Sequence, residues 1–147
     1  MSEVRFYHLT RSTLEAALPP ILEKVIERGW RAVVRTSTPE RAEALSDSLW
    51  TAKEDSFLPH GTQRDGHAAR QPVWITDTDE NPNNANTVIL ADGVMETNQA
   101  AELVCLLFDG HDADVVTASR AAWKKFQDAG HSLTYWQQTD KGWEKKN

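Results

Sequence analysis

The segment Asp109-Gly110-His111-Asp112 has the residue types for acid–base chemistry. An Asp–His pair at the carboxyl end of a sheet strand is a plausible catalytic dyad, and a small α/β enzyme would use Asp109, His111 and Asp112 in that way. The simpler reading is a strand-to-helix turn, in which Asp109-Gly110 reverses the chain and Asp112 caps the next helix. His60 and His67 flank Asp65 in sequence, but no fourth ligand accompanies them, so they read as solvated loop residues rather than a metal site. Cys105 stands alone inside an apolar run and reads as an inert core thiol; one cysteine excludes a disulfide framework and a multi-cysteine zinc site. No two of the glycines at 29, 61, 66, 93, 110, 130 and 142 are separated by a single residue, so no GxGxxG exists. Gly61 and Gly66 have the spacing of a phosphate-binding loop, but His67-Ala68 follow where Lys-Ser/Thr is required. Neither GxSxG nor HExxH occurs. The expectation is a chain with no catalytic residues, cofactor or metal of its own.

These residues must be positioned by an alternation of strands and helices. Residues 4–9 are rich in β-branched and aromatic types and read as a strand. Ser12-Thr13-Leu14-Glu15 is a capping-box pattern that opens a helix, and Pro19-Pro20 should kink or split it before Gly29. Further strands are expected at 32–35, 72–76 and 87–91, and a helix from Thr38-Pro39 to about Thr51. Residues 52–71 read as a long loop, and Ala100-Ala101-Glu102 as the end of a short helix. Six apolar residues, 103–108, read as a strand buried on both faces. A helix capped by Asp112 runs to Ala129, a last strand covers 132–137, and 138–147 is a polar tail. The pattern predicts a single α/β domain over 1–147, Rossmann-like and without a nucleotide-binding loop, its sheet mostly parallel and flanked by helices.

The chain has 147 residues and a net charge of −6, which disfavours unassisted DNA binding. The charge is uneven: residues 120–147 carry six basic and three acidic side chains and three of the six tryptophans. In the late helix Val115, Ala118, Ala122, Phe126 and Ala129 form the expected core face. Arg120, Trp123, Lys124 and Gln127 fall beside it as one stripe. No apolar run approaches the ~18 residues of a membrane helix, and the start lacks a signal peptide's apolar stretch, so a cytoplasmic protein is expected.

Three segments carry a resemblance. They are Phe6-Tyr7-His8-Leu9; Leu49-Trp50 followed by Asp55-Ser56-Phe57-Leu58-Pro59-His60-Gly61; and Trp123-Lys124 through Ala129-Gly130-His131 to Leu133-Thr134-Tyr135-Trp136-Gln137-Gln138. In order, spacing and length the chain resembles the chi subunit of bacterial DNA polymerase III holoenzyme, in its alphaproteobacterial form. The resemblance implies a non-catalytic accessory subunit in DNA replication. Such a subunit joins the clamp loader, through its psi subunit, to the acidic C-terminal tail of single-stranded DNA-binding protein, and touches DNA only indirectly. It also implies site residues. Arg120 matches the tail-binding arginine, with Trp123, Lys124 and Gln127 beside it, and Trp50, Phe57 and Pro59 match the psi-facing surface. Two positions depart from the family: Trp123 replaces a tyrosine, and Val116 replaces a basic residue one turn before Arg120.

Overall fold

Seven segments of the described chain extend into one sheet, and three coil into helices against it. The computed structural model describes residues 2–51, 59–140 and 142–146. In order they are β1 (Glu3–Leu9), α1 (Leu14–Glu27), β2 (Ala32–Arg35), α2 (Pro39–Thr51), β3 (Val73–Thr76), β4 (Thr87–Leu90), β5 (Leu103–Asp109), α3 (Ala113–Asp128), β6 (Ser132–Thr139) and β7 (Gly142–Lys145). The sheet order is β3-β2-β4-β5-β1-β6-β7. All neighbours are parallel except β6 and β7.

The apolar run of β5 occupies the centre of the sheet, between β1 and β4, where both faces are covered. Residues alternate between two cores. Tyr7, Leu9, Cys105 and Leu107 pack under α1 and α2, while Val4, Phe6, Leu106 and Phe108 pack under α3. The predicted α/β sheet with helices on both faces is therefore present.

Local expectations differ from the structure at five places. Pro19 and Pro20 do not split α1, which runs unbroken from Leu14 to Glu27. Burial of Leu18, Leu22 and Val25 on the sheet outweighs the lost helical hydrogen bonds. The cap of α1 is Thr13, whose side chain accepts from the Ala16 amide, not Ser12. Ser12 is already engaged: its amide donates to Gln138 Oε1, and its hydroxyl accepts from Gln138 Nε2. Residues 100–102 are not helical, because the Glu102 amide donates to the Asn86 carbonyl and leads the chain straight into β5. The stretch 138–147 is not a free tail. Its residues 138 and 139 complete β6 and 142–145 form β7, because Trp143 has an apolar face to bury and packs edge-on against Tyr7, with ring centroids 5.0 Å apart. Finally, α3 turns a wider face to the sheet than expected: Val115, Ala122 and Phe126 pack there as expected, Val116 and Trp123 join them, Ser119 is buried and Ala129 is exposed. Two aromatic rings bury far more area than alanines, and Phe6 receives both, at 5.2 Å and 6.2 Å.

Candidate functional site

Helix α3 packs on β5 and reaches across the sheet to β6, where Trp123 meets Tyr135. Phe6 and His8 alternate onto the α3 side of β1, and Tyr135 stands beside Phe6 in the β1–β6 register. These three rings floor a cleft of about 310 Å³. Its helical wall is Val116, Ser119, Arg120 and Trp123, one stripe of α3 at helical spacing. Trp123 meets Phe6 and Tyr135 edge-on, at 5.2 Å and 6.1 Å, which fixes the indole as a rigid side wall. Arg120 is exposed at the rim. Its charge lies close enough to Tyr135 to oppose the upward push of burial on the phenol.

The floor is polar at one end. The Tyr135 hydroxyl lies 2.7 Å from His8 Nδ1, and the His8 ring stacks on Phe108 with centroids 4.9 Å apart. Burial lowers the His8 pKa, His111 lowers it further, and Asp109 opposes both. An apolar slot with a guanidinium at its mouth suits a short peptide end: the walls take an aromatic or aliphatic side chain, and the planar cation takes a carboxylate through two parallel hydrogen bonds.

Of the residues singled out from the sequence, Arg120 and Trp123 line this cleft. Lys124 and Gln127 are exposed on α3 and do not line it. Trp50 is 47% exposed at the end of α2, its ring 4.3 Å from that of His60. Pro59 is half-buried nearby in sequence, and Phe57 lies outside the described residues. His8, Tyr135 and Phe6 were not singled out as site residues. The available signal was the shared parity of residues 6 and 8, which places both on one face of a strand.

The carboxyl end of the sheet is arranged differently. The loops after β1 and β5 depart to opposite faces, the place where open α/β sheets commonly hold ligands, and a crevice of about 600 Å³ lies there. Its loop amides are already used: Thr10, Arg11 and Ser12 donate to the single oxygen Gln138 Oε1, at 3.1, 3.0 and 3.1 Å. Arg41 in the same crevice pairs with Glu15 and Asp92, each at 3.2 Å. The Asp109–Asp112 segment is also engaged in its own fold. Asp109 Oδ1 accepts the His111 amide, Asp112 Oδ1 caps α3 at the Asp114 and Val115 amides, and His111 Nε2 lies 2.9 Å from the Thr10 carbonyl. That is the turn-and-cap reading, and it gives no support to the enzyme alternative. His60 is buried rather than solvated, its Nε2 3.1 Å from the Ser46 carbonyl, while Asp65 accepts the Thr62 amide and His67 is exposed in a left-handed conformation, so the three do not converge.

The model of the family described as DNA polymerase III chi subunit, HolC, matches residues 1–134. The chain belongs to the chi subunit family of DNA polymerase III. It is therefore related to a subunit of the replicative polymerase complex. The probable DNA polymerase III subunit chi of Rickettsia prowazekii (strain Madrid E) is 32% identical over 90 residues, 61% of this chain. The match spans about half of that relative's length, 54%. Among solved structures, the C-terminal domain of S. cerevisiae Dbp5, determined bound to Gle1 and IP6, matches with a TM-score of 0.50. That match covers 88% of each chain at 16% identity and is a likeness of fold. Among the described residues, no helix is long and apolar enough to cross a membrane.

Proposed function

We propose that the chain is a non-catalytic adaptor of the DNA polymerase III holoenzyme, acting in the cytoplasm. Through psi it joins the clamp loader, and it holds the acidic C-terminal tail of single-stranded DNA-binding protein in the α3 cleft. The observation that carries this reading is the pairing of Arg120 with the slot between Trp123, Phe6 and Tyr135. A peptide ending on an aromatic residue inserts its ring between those walls and presents its terminal carboxylate to Arg120. The exposed cations Lys124 and Lys125 attract the acidic residues that precede it. The second face is the surface around Trp50, with Pro59 and Phe57, which docks psi. Exposure of a tryptophan by nearly half its area supports that role, because truncating such an anchor at an interface costs about 2 kcal/mol or more.

The test is titration of a synthetic peptide of acidic residues ending in an apolar pair with a free carboxylate, followed by tryptophan fluorescence. Arg120→Ala should weaken binding by about 2 kcal/mol or more, and Lys124→Ala by less, since it lies outside the cleft lining. Wild-type affinity in Arg120→Ala refutes the assignment of the cleft. For the second face, Trp50→Ala should lose capture of the psi-containing clamp loader while keeping a native circular dichroism spectrum.

A further inference from the structure

His8 is held in one orientation from three sides. Phe108 stacks on its ring at 4.9 Å, and Tyr135 meets it edge-on at 5.9 Å. Gly110 closes the third side: a Cβ there would lie 2.1 Å from Nε2, so the backbone already touches the imidazole. In that orientation Nδ1 is aimed at the Tyr135 hydroxyl, 2.7 Å away, on the floor of the cleft.

We propose that His8 and Tyr135 form a proton-controlled carboxylate contact, through which the cleft binds the terminal carboxylate of an acidic peptide more tightly once His8 is an imidazolium. The proposal rests on the reading of the cleft as a peptide-end site. A neutral imidazole lets Nδ1 take the Tyr135 proton, which turns that proton away from the cleft. The cation can only donate at Nδ1. Tyr135 then accepts from His8, and its own proton is free to point into the cleft at a ligand oxygen. Protonation so converts the floor from an acceptor to a donor and adds a positive charge below Arg120.

The charged and titratable groups around His8 set when this happens. Burial and His111, in the turn after β5, oppose protonation of His8, whereas Asp109 at the end of β5 favours it; Arg120 of α3 lines the same cleft. Tyr135 of β6 is pushed upward by burial and stays neutral over the working range. Burial therefore leaves His8 neutral at neutral pH, and an arriving carboxylate, as an opposite charge beside the ring, favours its protonation. By reciprocity, the carboxylate raises the His8 pKa by the factor with which the proton tightens the peptide.

The experiment titrates the acidic peptide, with a free carboxylate and as its C-terminal amide, at about pH 8 and about pH 5.5, on either side of the ordinary histidine range. The free-carboxylate peptide should bind roughly five- to tenfold more tightly at the lower pH. The amide should show a smaller change, and His8→Gln should flatten the response. Tyr135→Phe should reduce the response without abolishing it. The proton resonances of His8, followed with and without peptide, give a readout that needs no variant: its midpoint should move to higher pH in the complex. Equal affinity at both pH values, or an unchanged pH response in His8→Gln, overturns this proposal and leaves the cleft assignment standing. Failure of the wild-type protein to bind the peptide at either pH overturns both.

Discussion

Replacing Gln138 with alanine should loosen the β1–α1 loop, because one side-chain oxygen holds three consecutive amides. Thr10, Arg11 and Ser12 donate to Gln138 Oε1 at 3.0–3.1 Å, and Gln138 Nε2 donates to Ser12 Oγ at 2.6 Å. A net hydrogen bond contributes about 0.5–1.5 kcal/mol. Three donors share one acceptor here, and Arg11 is exposed, so water replaces part of what is lost. The total for Gln138→Ala is therefore about 2 kcal/mol rather than the sum over four bonds. For a domain of this size that corresponds to a melting temperature lower by roughly 4–8 °C. Hydrogen exchange reads the effect: the three loop amides should exchange at least about tenfold faster through local opening, while those of β5 accelerate by the global loss, about thirtyfold for about 2 kcal/mol. Gln138→Glu is the informative partner. It keeps the acceptor and adds a negative charge near the N-terminus of α1, and the bond to Ser12 reverses, the hydroxyl now donating to the carboxylate, so its cost should stay below about 1 kcal/mol. Loop amides in Gln138→Ala that exchange at the wild-type rate would refute the claim that this side chain organises the loop.

Three further outcomes are expected. Gly110→Ala places a methyl 2.1 Å from His8 Nε2 and 2.9 Å from the Leu9 carbonyl, and should destabilise by about 1–3 kcal/mol in a denaturant titration. Combined with His8→Ala it should cost clearly less than the two changes added, and strict additivity would count against the contact. Burial would raise the Asp79 carboxyl, but the Thr97 hydroxyl, the Asn98 amide and Arg35 outweigh it and hold its pKa below the usual value. Its contribution is thus present above the ordinary aspartate pKa and lost as pH falls through the depressed one, and Asp79→Asn should flatten that acid limb of the stability curve. Burial pushes the Cys105 thiol up to about 12, so a thiol reagent should label the native protein only at the rate of unfolding, and fast labelling of folded protein would contradict its place in the core.

The sequence alone determined most of the elements and their class. The apolar run at 103–108 could be stable only with both faces covered, which required a central strand and helices on either side. Asp112 declared the start of α3, because a side-chain oxygen before a helical run satisfies amides wherever the helix packs. The segments around Phe6, Trp50 and Trp123 carried the family, and Arg120 and Trp123 were legible as one stripe of α3, which lines one cleft. Properties that depend on distant parts of the chain were decided by the tertiary structure. The place of Trp123 on the core followed from Phe6 accepting its ring beside that of Phe126, a partner the helix taken by itself does not show. Gln138 took Ser12 from its expected cap, across 126 residues of chain. His8 met Tyr135 across 127, and nothing near either residue in sequence signals the other. The proline pair in α1 and the strand at 142–145 are further cases. Local preference there amounts to a few kcal/mol at most, and burial against a sheet that exists only in the folded chain outweighs it.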